Sequence, residues 1–239
     1  MIIWNEESDR WLQNASAYTG YNRELAKMLL EYLPTGGTLC DMGCGNGLVD
    51  FELAPYFRRI TCVDISEEAV SAVSRRASEL GVKNLTAVRA DGETLEGTWD
   101  CVTALFHGGP EAFKWYFGKT GNTLLIAVHT NRTGELGPEQ YRVRRCSDVA
   151  SMVEYLNEKH IRYVLRETAL EYGQPIKDLE EAKRFVQAYT LPMGADELTA
   201  YLNRNLRETG REDFPYYLPK KRRFGLFVIR RSENEKFGG

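Results

Sequence analysis

The sequence predicts a right-handed parallel α/β sheet. Three observations carry that reading: five short, nearly all-apolar runs in the first half, helical stretches between them, and a glycine-rich turn directly after the first run. A run of strand length that is apolar throughout suits a strand buried on both faces of a parallel sheet. Strands alternating with helices imply right-handed parallel crossovers.

The runs follow in order. Thr38-Leu39-Cys40 is entered from the turn Pro34-Thr35-Gly36-Gly37. Ile60 to Val63 is β-branched and ends in Asp64, and Leu85 to Val88 ends just before Asp91. Cys101 to Phe106 follows Trp99-Asp100, and Thr123 to Val128 follows the turn Gly121-Asn122. The connectors read as helices. Glu24 to Leu33 ends at Pro34, and Leu48 to Phe57 carries Pro55, which breaks its last turn. Ser66 is placed to cap a helix whose first turn holds Glu67 and Glu68, whose stripe is Ala69, Val70, Val73, Ala77 and Leu80, and whose stop is Gly81. Asp148 to Lys159 carries Val149, Met152, Val153 and Leu156 at helical spacing.

The second half changes character. Ile161 to Leu170 mixes β-branched and charged residues, as an edge strand does, and Phe224 to Ile229 reads as a final strand. Between them lie an amphipathic helix from Asp178 to Tyr189 and a second from Ala195 to Arg207. This pair reads as a small helical insertion within one domain spanning 1–239. The expected division is an N-terminal helical segment 1–33, a core 34–170, the insertion 171–215 and the last strand 216–231. The polar tail from Ser232 to Gly239 is expected to fray.

Composition bounds the function. A chain of 239 residues with 43% hydrophobic and 27% charged residues builds a sizeable core. The formal net charge of −3 does not argue for a general polyanion binder. No run approaches a membrane span, and the start, Met1 to Glu7, is not expected to be a signal peptide. Cys40, Cys44, Cys62, Cys101 and Cys146 are odd in number and lack disulfide or zinc spacing, so structural thiols in a reducing, cytoplasmic compartment are expected and no metal is.

The informative segment is Asp41-Met42-Gly43-Cys44-Gly45-Asn46-Gly47, between the first strand and a helix. Closely spaced glycines let backbone approach a ligand at positive φ, and the helix that follows presents free N–H groups. The dinucleotide fingerprint needs a third glycine where Leu48 stands. Asp41 would repel a pyrophosphate but suits an ammonium group. Asp64 suits both hydroxyls of a ribose, and Asp91, before Gly92, suits the exocyclic amine of adenine.

Together these residues resemble the class I S-adenosylmethionine-dependent methyltransferases, from about Thr38 to Val128 and more loosely to Ile229. Asp41, Gly43, Gly45 and Gly47 match that family's glycine motif, Asp64 its ribose-binding acid and Asp91 its adenine-binding acid. The resemblance implies a doubly wound, Rossmann-like, mostly parallel sheet of seven strands. The last strand, Phe224 to Ile229, would be antiparallel and inserted beside the strand from Ile161. It also implies S-adenosylmethionine as cofactor, held by Asp41, Gly43, Cys44, Gly45, Asn46, Gly47, Asp64, Ile65, Asp91, Gly92 and Leu105.

The acceptor is less legible. After the fourth strand the chain reads Phe106-His107-Gly108-Gly109-Pro110, without the Asn/Asp-Pro-Pro-aromatic motif of many base-methylating members. His107 is the candidate general base, because an oxygen or nitrogen acceptor must lose a proton; packing against the cofactor is its alternative role. His129 is a second candidate, and His160 reads as structural. Trp4, Trp11, Tyr18 and Tyr21 precede the core, and Tyr18 and Tyr21 are candidate cofactor-lining aromatics. The basic runs Arg142 to Arg145 and Lys220 to Arg223 read as solvated, the second as a turn before the last strand, with binding of nucleic acid or an acidic partner as its alternative. The expectation is methylation of a small molecule at O, N or C, with nucleic acid disfavoured, no membrane partner and nothing that sets an oligomeric state. RNA or protein methylation, or a non-catalytic cofactor-binding module, stand as alternatives.

Overall fold

The apolar runs become strands in a computed structural model that describes residues 5–145 and 147–237. Trp4, Cys146 and the two terminal glycines, which figured in the sequence reading, lie outside the described residues. In chain order the elements are α1 (Glu6–Thr19), α2 (Tyr21–Leu30), β1 (Thr38–Met42), α3 (Leu48–Leu53), β2 (Arg59–Asp64), α4 (Glu67–Leu80), β3 (Leu85–Arg89), β4 (Trp99–Leu105), α5 (Phe113–Gly118), β5 (Thr120–His129), α6 (Val149–Glu158), β6 (Val164–Glu171), β7 (Gln174–Ile176), α7 (Leu179–Ala188), α8 (Ala195–Asn205), β8 (Arg207–Glu208), β9 (Tyr216–Leu218) and β10 (Lys221–Arg230). They fall into two units. One comprises Met1–Tyr21, Asn131–Cys146 and Ala169–Arg222; the other comprises Asn22–Thr130, Ser147–Thr168 and Arg223–Gly239.

The second unit is built on a seven-stranded sheet in the order β3-β2-β1-β4-β5-β10-β6. β1, β2, β3, β4 and β5 pair in parallel, and β10 runs antiparallel to β5, lying between β5 and β6 as expected. Alternation divides the side chains between the two faces. Met42, Val63, Val102, Ala104, Ile126 and Phe227 share one core with Phe113 and Phe117 of α5 and Met152 and Leu156 of α6. Asp41, Cys62 and Thr103 fall in one register row and therefore share the opposite face.

The local signals set the helix ends. Ser66 accepts from the Ala69 N–H at 3.2 Å, and Gly81 closes α4 in the left-handed conformation. α3 stops at Leu53, where Pro55 enters a short 3-10 turn. The tail departs from the expected fraying. Buried Asn234 accepts from the Arg162 N–H at 2.7 Å, and Phe237 packs edge-on to Phe113 and Phe117. Two short 3-10 turns carry the chain through these contacts.

The first unit is less helical than the sequence predicts. Besides α1, α7 and α8 it holds a three-stranded antiparallel sheet, β7-β9-β8. Tyr216–Leu218 belongs to this sheet, so the last strand of the large sheet begins at Lys221 rather than at 216. The core joins Trp11, Ile176, Phe185, Val186, Leu198, Leu202 and Leu218. Trp11 lies edge-on to Phe185 at 5.3 Å, and its indole N–H donates to Glu181 Oε1 at 3.1 Å. Asn5 and Ser8 form a reciprocal cap at the start of α1, and Gly20 ends that helix at φ +69°. Among the described residues no helix is long and apolar enough to cross a membrane.

Candidate functional site

The C-terminal edge of a parallel sheet is where strand ends leave side chains and loop backbone free to meet a ligand. In the second unit, β1 runs there into the glycine loop. Gly43, Gly45 and Gly47 all have positive φ, +74°, +56° and +67°, a conformation that side-chain-bearing residues adopt only at a cost. The Gly43 and Cys44 N–H groups both donate to the Val63 carbonyl, at 2.8 and 3.0 Å, so the loop is fastened to the end of β2. A Cβ on Gly43 would overlap the His107 ring, and one on Gly47 would press on Val73 of α4. Both glycines are therefore required twice, for φ and for space.

Asp64 ties the two loops together. Its Oδ2 accepts from the Gly45 N–H at 3.0 Å and its Oδ1 from the Ser66 N–H at 2.9 Å. Each oxygen keeps a further lone pair for a ligand donor. Ile65, the next residue, is an exposed large hydrophobic, 61% open. Asp91 is exposed after β3, where its Oδ1 accepts from the Glu93 N–H at 2.9 Å, and Gly92 lies beside the Met42 sulfur.

Asp41 sits differently. It is buried, and its Oδ1 accepts from the Thr103 hydroxyl at 2.6 Å. Burial raises its pKa to about 7, against the lowering effect of the Thr103 hydrogen bond and of the neighbouring Asp50 carboxyl and with the raising effect of Asp64. Asp50, in α3, is fully buried and is also raised well above the usual carboxylate range, first by burial and then by the Asp41 charge. Burial and mutual repulsion thus disfavour ionising both carboxyls at once. Sequence reasoning missed Asp50 and Thr103: nothing local marks a helix aspartate as buried. Cys44 donates to the Gly45 carbonyl at 3.5 Å, Asn46 is buried, and Cys40, Cys44, Cys62 and Cys101 are free thiols.

The turn after β4 completes the edge. β4 ends at Leu105, one residue earlier than expected, because Phe106 adopts φ +61°. That conformation is uncommon for a bulky residue. Its N–H donates to the Ala127 carbonyl at 2.8 Å, and its ring meets His129 at 4.8 Å and Phe224 at 5.3 Å. The turn delivers His107 against Gly43, exposed on its other side. Desolvation lowers the His107 pKa below the ordinary histidine value, while the charges of Asp64 and Asp91 act to raise it. Tyr116 of α5, which the sequence did not single out, is buried behind this turn. Its ring lies 6.5 Å from that of His107, and a Cβ on Gly108 would overlap its hydroxyl.

Tyr18 and Tyr21 have partners within the first unit. Tyr18 stacks on Tyr217 at 5.0 Å and lies under the Arg211 guanidinium. Tyr21 is buried, and its hydroxyl accepts from Arg222 at 3.2 Å. His160 follows α6 at φ +54°. Among the described residues, no group of three or more His, Cys, Asp or Glu is placed to hold a metal ion.

This geometry has counterparts. Residues 39–116 match the model of a methyltransferase domain. Over 94 residues the chain is 27% identical to a tRNA/tmRNA (uracil-C(5))-methyltransferase of Shewanella sp. (strain W3-18-1), which is 37% of this chain and 26% of that protein. The chain thus spans about a quarter of the length of the curated relatives it matches. Among solved structures, the YcgJ protein of Bacillus subtilis superposes with a TM-score of 0.55 at 16% identity, covering 88% of this chain and 99% of that one. The magnesium protoporphyrin IX methyltransferase of Synechocystis PCC 6803, solved with bound SAH, superposes with a TM-score of 0.54 at 16% identity, covering 91% and 85%. The stretch from Leu39 to Tyr116, about a third of the chain, thus resembles a methyltransferase domain, and the chain shares its fold with these solved structures.

Proposed function

We propose that the chain is an S-adenosylmethionine-dependent methyltransferase acting on a small-molecule acceptor at O, N or C. The observation that carries this reading is the loop of three positive-φ glycines fastened by Asp64, with His107 packed on its first glycine. That cradle fits the cofactor, because its backbone is open where a Cβ would fill it and its acids stand at the ends of three successive strands. Gly43, Cys44, Gly45, Asn46 and Gly47 would hold the amino-acid portion. Asp64 and Ile65 would hold the ribose and the adenine edge, with Asp91, Gly92 and Leu105 completing the nucleoside side. The Asp41–Asp50 pair, carrying one proton between two carboxyls, would place net negative charge beneath the loop and favour an ammonium group there. When bound, the cofactor supplies a sulfonium-activated methyl group.

His107 would take the acceptor's proton. Its lowered pKa keeps the imidazole neutral at pH 7, the form a base requires. His107→Ala is expected to lower turnover ~10²-fold or more with little change in cofactor affinity. Wild-type rate should fall only as pH drops below the ordinary histidine value, provided the acceptor carries a proton. Equal single-turnover rates for the folded variant and wild type would remove the base role.

A first test of the whole reading is calorimetry with S-adenosylmethionine, its demethylated product and NAD, followed by a screen for methyl incorporation into small acceptors. Binding of NAD alone would reject it. The tRNA-methylating relatives favour a second reading, an RNA acceptor. Salt-sensitive tRNA binding with methyl incorporation, lost when Lys220, Lys221 and Arg223 are neutralised, would establish it instead. The free thiols support a reducing compartment, the cytoplasm.

A further inference from the structure

The basic run Lys220 to Arg223 does not form the solvated turn the sequence suggested. Lys221, Arg222 and Arg223 open β10, and the alternation of a strand sends Arg222 away from its exposed neighbours. Within the first unit its guanidinium lies over Tyr172, 3.7 Å from the ring centroid, and 5.1 Å from that of Tyr21. The two tyrosine rings are 4.4 Å apart. The Tyr172 N–H donates to the Lys220 carbonyl at 2.8 Å, and the Lys220 Nζ stands 5.6 Å from the same Tyr172 ring. Arg145 is anchored beside them by its Nη1, which donates to the Asn131 and Thr133 carbonyls at 3.0 and 3.1 Å.

We propose that Arg145, Lys220 and Arg222, gathered around Tyr172 in the first unit, form a binding site for an oxyanion, the carboxylate or phosphate group of a small ligand.

Two features point to a ligand rather than to a packed surface. The first is charge. Lys220, Arg222 and Arg145 act on one another as like charges, and Glu135 is the acid that acts back on Lys220 and Arg145. Burial, together with Arg222 and Arg145, lowers the Lys220 ammonium to about 8. Tyrosine faces attract each cation singly but do nothing to offset repulsion among three. An oxyanion offsets it and accepts from several donors at once. The second is Tyr189, whose hydroxyl is buried without a hydrogen-bond partner among the described residues and lies within the influence of Tyr172 and Arg222. A buried polar atom of that kind is rare in a finished core. Arg145, Tyr172, Lys220 and Arg222 each retain some exposed surface.

The test is calorimetric titration of the full chain, at pH 7 and low chloride, with inorganic phosphate, with malonate and with poly(U). Binding of phosphate or malonate at one site per chain is expected, and whichever binds names the group. Lys220→Met and Arg222→Met should each weaken it at least about tenfold; if Arg222→Met does not fold, Lys220→Met decides. Wild-type affinity should fall as pH rises through about 8, because Lys220 loses its proton while Arg145 and Arg222 stay charged. Tyr21 and Tyr189 stay neutral over that interval, and malonate stays a dianion, so Lys220→Met should remove the dependence of malonate binding. Binding of neither small anion, affinity unchanged in Lys220→Met, or binding of poly(U) alone would overturn the proposal.

Discussion

The two units handle charge in opposite ways. At the sheet edge of the second unit the charged groups are carboxylates, and each stands at or just past the end of a strand: Asp41 in β1, Asp64 in β2, Asp91 after β3. In the first unit the cluster is cationic, and its members come from segments far apart in sequence: Tyr21, Arg145, Tyr172, Lys220 and Arg222. The first arrangement follows from topology, since successive parallel strands must all end at one edge. The second depends on long-range packing that no local pattern encodes. A site of the first kind is readable from spacing; one of the second kind emerges only from folded geometry.

Substitutions that strike one region alone sharpen this contrast. Gly43→Ala should have the largest effect. It places a side chain at φ +74° and drives it into His107. The backbone alone costs about 1–2 kcal/mol, and the overlap displaces the loop. Affinity for S-adenosylhomocysteine should fall by about 100-fold or more, while phosphate or malonate binding stays as in wild type. Trp11→Phe strikes the first unit. It removes the indole donor from Glu181, whose other oxygen accepts from the Lys177 N–H at 2.7 Å. A buried carboxylate oxygen stripped of its donor costs about 1–3 kcal/mol. Urea unfolding should report a loss of about 2 kcal/mol, with S-adenosylhomocysteine affinity unmoved. A large drop in that affinity would break the contrast.

The smallest effect concerns pH. Asp41, held at about 7 in the folded chain, binds a proton there that the unfolded chain has already released. Its contribution to stability is complete at low pH and is lost as pH rises through about 7. Asp50→Asn removes the partner carboxyl whose charge helps to raise the pair. Unfolding measured from pH 5 to 8 should show a slope shallower by on the order of 1 kcal/mol per pH unit around pH 7. An unchanged slope would mean that the two carboxyls do not share a proton.

The same contrast explains what the sequence could reveal. Gly43, Gly45 and Gly47, the Ser66 cap, Gly81 and Pro55 are local signals with local consequences, and each appears where expected. The strands β7, β8 and β9 are two or three residues long, too short for a period to register. α5 has six residues and starts directly after a proline-led turn, so it gives no helical stripe. Arg222 reads as part of a solvated basic run until strand alternation turns it onto two tyrosines. Asp50 reads as an ordinary polar helix residue, and its burial and its interaction with Asp41 of β1 emerge only in the folded chain. Asn234 and Phe237 look like a polar tail because their partners, Arg162 and Phe113, lie far upstream.

The central claim is that the glycine loop and Asp64 together bind S-adenosylmethionine, the loop its amino-acid portion and Asp64 its ribose. Calorimetric titration of wild type, Asp64→Asn and Asp64→Ala with S-adenosylhomocysteine tests it most directly, with circular dichroism to establish that each variant is folded. Asp64 accepts from the loop and retains acceptor capacity for ribose, and charge-assisted bonds of this kind are worth about 1.5–3 kcal/mol. The account predicts that Asp64→Ala weakens binding at least about tenfold and that Asp64→Asn, which keeps one acceptor oxygen, falls between the two. A folded Asp64→Ala chain with wild-type affinity would contradict it.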